Sequence, residues 1–243
     1  MKFPNLRFLA LLGALGLGGC FTGTYVPPPS AIEASDNGVF QPVGRLSKSL
    51  SRLQGPPSDP QSGHAIELGL TRGSGSGSQN LSSNRIVFGN QTFTAPQQMR
   101  YEFDLTYFDV AYRWRKFFGQ ARAFGIEALG GLGFANLDFS AMSATQRASE
   151  EMSSSGVAAG LGALWRLRPG TSVQFRGSSF FSGEDNGVTE ARRLDLYLVQ
   201  ALGRHMALRA GYASWDIESK RNDSLSPIKV RFSGPSLGLD VMF

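Results

Sequence analysis

The chain ends Ile228-Lys-Val-Arg-Phe-Ser-Gly-Pro-Ser-Leu-Gly-Leu-Asp-Val-Met-Phe243, and the reading of this stretch decides the fold. Leu237, Leu239, Val241 and Phe243 are apolar at every second position, while Gly238, Asp240 and Met242 between them are mostly small or polar. Successive side chains of an extended chain point to opposite sides, so this two-residue period marks a strand with one oily face. Upstream, Ile228, Val230 and Phe232 keep the period but in the other phase, which gives way at Gly234-Pro235.

Working back from this end, seven earlier segments alternate in a similar way: residues 64–72, 99–115, 121–136, 156–168, 171–181, 191–202 and 205–218. Ile66, Leu68 and Leu70 oppose Glu67, Gly69 and Thr71, and Phe124, Ile126, Leu132 and Phe134 oppose Gly125, Glu127, Gly131 and Gly133. Val157, Leu161 and Trp165 oppose Gly160, Gly162 and Arg166, and Val173 and Phe175 oppose Gln174 and Arg176. Leu194, Leu196 and Leu198 stand against Arg193 and Asp195, and Met206, Leu208 and Tyr212 against Arg209 and Gly211. The segment 99–115 changes phase. Tyr101, Phe103, Leu105 and Tyr107 share one face, and then Phe108, Val110, Tyr112 and Trp114 take over the apolar side. Two explanations fit: a β-bulge, or a strand that runs beyond a bilayer into a protruding ribbon.

The connections carry a second signal. Those after the second, fourth and sixth segments are short (116–120, 168–170, 203–204), whereas the others run from nine to twenty-six residues. Short and long ends therefore segregate, as the periplasmic turns and extracellular loops of outer-membrane barrels do. The longest connection, Gly73 to Gln98, opens with the Gly-Ser repeat 73–78 and reads as a flexible loop. An even count of eight strands places both termini at the short-turn end. Glu67, Glu127, Arg166, Arg176, Arg193, Asp195 and Arg209 lie on the polar face, and such unlike charges suit a narrow hydrogen-bonded lumen. Side chains fill a barrel of eight strands, so no open pore is expected. Tyr112, Trp114, Trp165, Tyr212 and Trp215 near strand ends are expected to form interfacial girdles.

At the other end, Lys2 and Arg7 precede an apolar run from Leu9 to Leu17, too short to span a membrane and suited to an export signal. Leu17-Gly18-Gly19-Cys20 resembles the lipobox of bacterial lipoprotein signals, in which cleavage leaves a diacylated amino-terminal cysteine. The resemblance implies a signal peptide over 1–19, lipidation of Cys20 and, with Phe21 in place of the Asp that retains lipoproteins at the inner membrane, outer-membrane sorting. Cys20 is the only cysteine, and removal of Lys2 and Arg7 lowers the formal charge from +5 to +3. Residues 20–63, with Pro27-Pro28-Pro29 and Gln54-Gly55-Pro56-Pro57, read as a disordered Pro/Ser-rich tether, in which Leu46, Leu50 and Leu53 form at most one amphipathic turn. The barrel then occupies 64–243.

With its Gly-Leu-Asp-Val-Met-Phe ending, the chain from about Gly63 to Phe243 resembles the eight-stranded outer-membrane β-barrel family of the OmpA-transmembrane and opacity-protein type. The resemblance implies an all-β, antiparallel, up-and-down transmembrane barrel, assembled in a Gram-negative outer membrane by machinery that reads Phe243. Outer-membrane lipids and that machinery are the partners it implies.

Chemistry is sparse. Two histidines, His64 and His205, both at strand starts on the short-turn side, and one cysteine offer no catalytic set and no cluster of N or S metal ligands, so no cofactor is expected. The glycines at 130–133 and 160–162 lie inside strands and save space rather than cradle phosphate. Lys and Arg are scattered singly, which argues against a nucleic-acid partner. The acidic pairs Glu150-Glu151 and Glu184-Asp185 read as solvated loop charge. The expected function is therefore that of a non-enzymatic, monomeric outer-membrane lipoprotein with a structural or surface-interaction role, its partner specificity carried by 73–98. The alternatives are a lipid A-modifying barrel enzyme and a periplasmic lipocalin-like lipid carrier.

Overall fold

A computed structural model describes residues 31–50, 62–82, 85–119, 123–183, 187–220 and 225–243. The signal segment, Cys20 and the Pro-rich stretch 54–60 lie outside them, as do Glu184 and Asp185. The described chain is all-β. Its strands are β1 (Ile32–Asn37), β2 (Gln41–Ser49), β3 (Gly63–Leu81), β4 (Arg85–Phe88), β5 (Gln91–Thr94) and β6 (Gln97–Phe118). They continue with β7 (Phe124–Met142), β8 (Arg147–Arg168), β9 (Thr171–Phe181), β10 (Glu190–Ala201), β11 (Met206–Ser219) and β12 (Ile228–Met242).

β4 and β5 form a separate hairpin, and the other ten strands form one sheet in the order β1-β12-β11-β10-β9-β8-β7-β6-β3-β2. β2 also pairs with β12, so the ladder of hydrogen bonds returns to its start and β2 has a partner on each side. β3 and β6 to β12 are the eight segments expected from periodicity. The ninth strand of the circuit, β2, comes from residues expected to be tether, and so does β1. That expectation fails over 32–49 because β12 and β3 each present an edge there, and pairing satisfies the backbone of a stretch with little pattern of its own.

Both β1 and β2 run parallel to β12, Ile32 opposite Ile228 and Val241 opposite Leu46. The described chain therefore begins at the end of the sheet opposite Phe243. This overturns the placing of the barrel's amino-terminal end at the short-turn end, while Phe243 lies there as expected: the added strand makes the circuit odd. Gly38, at φ 99°, makes the step between β1 and β2, where its amide and that of Val39 both donate to the Ser233 carbonyl at 2.7 and 3.1 Å.

The phase change in β6 involves no slip. Residues 100–118 pair continuously with β7, Phe118 opposite Phe124 through Arg100 opposite Met142. Odd-numbered side chains point inward throughout: Met99, Tyr101, Phe103, Leu105 and Tyr107 are buried, and so are Ala111 and Phe117 further along. What inverts is the environment. Toward the short connections the inside is ionic and the outside apolar, and toward the long ones the inside is apolar and the outside polar. β12 does the same, with Ile228, Val230 and Phe232 buried beyond Gly234, and Ser236 and Asp240 on the same inward face before it.

Expected loops shorten accordingly. β7 and β8 run on to Met142 and from Arg147, leaving four residues between them, closed by the Ser143 amide donating to the Gln146 carbonyl at 2.8 Å. The Gly-Ser repeat is strand, not flexible loop: its serines face out and its glycines face in. A Cβ on Gly73 would stand 2.7 Å from the Phe232 ring, and one on Gly77 3.2 Å from the Ser35 backbone nitrogen. Glycine there admits β1 and the aromatic core.

That core fills the end of the sheet bearing the long connections. Tyr107 packs edge-on against Trp215 at 5.2 Å, Trp215 stacks on Phe232 at 6.2 Å, and Phe103 meets Phe232 at 5.2 Å. The β4–β5 hairpin lays Ile86, Phe88 and Phe93 over it, all fully buried. Reciprocal bonds between Val87 and Ser226 hold the hairpin down: the Ser226 amide donates to the Val87 carbonyl at 2.9 Å, and the Val87 amide to Ser226 Oγ at 3.0 Å.

Candidate membrane interface and interior charge network

The outward faces of the circuit carry a continuous apolar belt. On β8 it runs from Val157 through Leu161 to Trp165 and Leu167, and on β7 from Phe124 to Phe134. It continues through Phe175 and Phe181, Leu194 to Leu198, Met206 to Tyr212, Leu237 to Phe243, Leu46, Ile66 and Leu70, and closes at Phe108 and Tyr112. Exposure of 71% at Leu161 and 60% at Val157 leaves these side chains bare, where a soluble monomer rarely exposes a contiguous apolar patch beyond a few hundred Å². The upper edge follows the register. Leu70 pairs with Phe108 and Phe108 with Phe134, and one step above them Arg72 pairs with Thr106 and Thr106 with Asn136. Ten residue steps from Val157 to Leu167 span about 33 Å, or about 25 Å in height at the usual strand tilt, the thickness of an outer-membrane hydrocarbon band.

Aromatics gather at both edges. Phe134, Phe181 and Tyr212 lie at the upper one, and Tyr112, Phe118, Phe124, Trp165 and Phe243 at the lower, all exposed. Trp215 is a correction: it faces inward, 3% exposed, and its indole N–H donates to Gln41 Oε1 at 3.1 Å. Phe243 is fixed by β2, its amide donating to the Ser47 carbonyl at 3.0 Å and its carbonyl accepting from the Ser49 amide at 3.1 Å.

Inside the belt, strand alternation brings charges from β2, β3, β6, β7, β9, β10, β11 and β12 to a common centre. Arg176 donates from Nη1 to Glu67 Oε1 at 2.5 Å and from Nε to Glu127 Oε1 at 2.8 Å. Arg113 reaches the other oxygen of Glu67 at 2.6 Å, Arg115 that of Glu127 at 2.7 Å, and Gln174 adds a bond to Glu127 at 2.6 Å. Nearer β12, Arg193 bonds Asp195 at 2.7 Å and Thr71 at 2.6 Å and lies 5.0 Å over the Trp215 ring. Arg209 grips Asp240 through both oxygens, at 3.1 and 2.6 Å. Gly162 makes room for this network, since a Cβ there would stand 2.8 Å from the Glu127 carboxylate.

Of the charges expected inside, Glu67, Glu127, Arg176, Arg193, Asp195 and Arg209 are buried there, and Arg166 lies near the short-connection mouth, 5.3 Å from the Phe117 ring. Sequence reading missed Arg45, Asp109, Arg113, Arg115 and Asp240 as members. Arg45 sat in the presumed tether, and Arg113 and Arg115 fell on the face that the apparent phase change had reassigned.

Both histidines stand at the short-connection end, His64 in contact with the Tyr112 hydroxyl and His205 Nδ1 2.9 Å from the Met242 carbonyl. Among the described residues, no group of three or more His, Cys, Asp or Glu side chains is placed to hold a metal ion. Glu151 is an outward strand residue accepting from Asn136 at 3.2 Å. No family model matches the chain, and no curated protein or solved structure matches it either.

Proposed function

We propose that this chain is a membrane-spanning β-barrel of a bacterial outer membrane, made as a lipoprotein acylated at Cys20, with a structural or surface-interaction role and no catalytic one. Its wall has nine strands, not the eight of the family it resembles. Hydrocarbon covers the apolar belt, and the upper halves of the strands with the β4–β5 hairpin stand in water on the outer side as the partner-binding surface. Phe243, at the lower edge, is the residue on which assembly machinery would act.

The observation that carries this reading is the inversion within single strands. Along the outward face of β8, Arg147, Ser149, Glu151, Ser153 and Ser155 are followed by Val157, Ala159, Leu161, Ala163, Trp165 and Leu167 with no change of register. One face of one strand meets two solvents. The lipocalin-like alternative requires an apolar ligand cavity inside and a polar wall outside along the whole strand, and here the interior at belt depth is ionic. Aromatic packing above and ion pairs below fill the interior, which supports a barrel without an open pore.

The test is a Cys20→Ala protein lacking the signal. It is expected to need detergent or lipid to remain monomeric, and a variant that stays monomeric and freely soluble without amphiphile contradicts the reading.

A further inference from the structure

The outward charges above the apolar belt are of two kinds. On the β10–β12 side they pair, Arg231 with Asp216 at 3.2 Å and Arg192 with Glu190 at 2.5 Å. On the β3–β6–β7 side three do not: the side chains of Arg72, Asp104 and Asp138 make no ion pair or hydrogen bond among the described residues. All three line one open groove of about 750 Å³, within the usual span of small-molecule sites, about 300–1,000 Å³. The β1–β2 corner walls the groove, with Phe40 exposed and Asp36 already engaged by the Ser76 amide at 2.8 Å.

Register sets the order of these charges. Leu70, Phe108 and Phe134 form the last row of the belt, Arg72 stands one outward position above Leu70, and Asp104 and Asp138, directly opposite each other, stand two above Phe108 and Phe134. The cation is thus nearest the apolar edge, and the carboxylates lie one row further out, about 7 Å along the strand. That order is the complement of a phosphoethanolamine headgroup, whose phosphate joins the lipid and whose ammonium lies outermost. We propose that this groove holds the headgroup of one membrane lipid of the phosphoethanolamine class. The phosphate accepts from Arg72, the ammonium donates to Asp104 and Asp138, and the acyl chains lie along Leu70 and Phe108. An ammonium carries three donors for the two carboxylates, whereas among the described residues no three acidic or His side chains are placed to hold a metal ion. Bound there, it removes the repulsion between Asp104 and Asp138, which persists in detergent alone. The inference rests on the membrane reading of the belt.

Native mass spectrometry tests it on the mature protein, released into mild detergent from vesicles of equal parts phosphatidylethanolamine and phosphatidylglycerol. The second lipid offers the phosphate without the ammonium. Retained phosphatidylethanolamine is expected to exceed phosphatidylglycerol roughly tenfold, the discrimination that two exposed ion pairs supply. Asp104→Asn with Asp138→Asn is expected to bring the two within about twofold of each other, and Arg72→Gln to lower retention of both. All three positions are exposed, so these variants keep the fold. Equal retention by the unaltered protein, a ratio undiminished in the double variant, unchanged retention in Arg72→Gln, or a preference lost on chelating divalent cations overturns the proposal. A Cys20→Ala protein freely soluble without amphiphile removes the membrane reading itself, whereas a protein that needs amphiphile but holds both lipids equally removes this inference alone.

Discussion

Arg176 holds Glu67 and Glu127 with one guanidinium, so its removal strips a partner from two buried carboxylates at once. Arg176→Met is therefore expected to cost about 3–5 kcal/mol of unfolding free energy, measured by denaturant titration in a fixed lipid or detergent. Arg209 and Asp240 form a more private pair. Arg209→Leu alone is expected to destabilise by a similar amount, while Arg209→Leu with Asp240→Leu recovers most of it, because no orphaned charge remains. Above the belt, one cross-strand row brings like charges together. Asp138 lies directly opposite Asp104 and Glu151 on its two neighbouring strands. Burial first, then the charges of Glu151 and Asp104, raises its carboxyl above the ordinary value of 3.8. A carboxyl raised in the folded state opposes folding once ionised: the penalty is present above the raised value and fades as pH falls toward the unfolded one. Asp138→Asn should thus melt higher than the unaltered protein at about pH 7 and identically at about pH 3.

On β8, substitutions on a single face can separate two environments. Leu161→Arg, at mid-belt, is expected to cost about 2–4 kcal/mol of folding into vesicles, while Ser153→Arg, four positions earlier on that face, changes it by less than about 1 kcal/mol. Equal costs would mean that the outward face meets one solvent along its length. The same inversion explains what the sequence revealed and what it hid. The eight segments with apolar contrast were legible because the exposed belt and the buried core both repeat every second residue. The changes of phase in β6 and at Gly234 looked like slips only under the assumption of one solvent per face. In β2 the outward Pro42, Gly44, Leu46 and Lys48 oppose inward Gln41, Val43, Arg45 and Ser47, so neither face has a consistent polarity. Pro42 also cannot donate to a ladder, and its pairing lies with β12 alone. Such a strand is fixed by the edges it joins, which no local pattern records. With β2 misplaced, Arg45 was lost from the interior, and Trp215 was assigned to a girdle by its position near a strand end rather than by its parity.

For the molecule as a whole, the parallel seam between β2 and β12 sets where the amino terminus leaves. Ile32 pairs with Ile228, seven residues above Pro235 at the belt's upper edge, or about 23 Å along the strand. Twelve residue steps lead from Cys20 to Ile32, an extended reach of at most about 43 Å. That is ample for the near leaflet, whereas the far one requires nearly full extension through hydrocarbon with unpaired backbone groups. An acylated Cys20 should accordingly anchor in the leaflet on the side of the β4–β5 hairpin. An epitope inserted just after Cys20 should bind antibody on intact cells, and binding only after permeabilisation contradicts this. The central claim, two solvents on one face of one strand, is tested most directly by spin labels placed singly at 149, 153, 157, 161 and 165 of β8 in a Cys20→Ala background reconstituted in vesicles. Labels at 149 and 153 should collide with an aqueous nickel chelate, and those at 157, 161 and 165 with lipid-dissolved oxygen. Uniform access to the nickel reagent at all five positions would contradict the account.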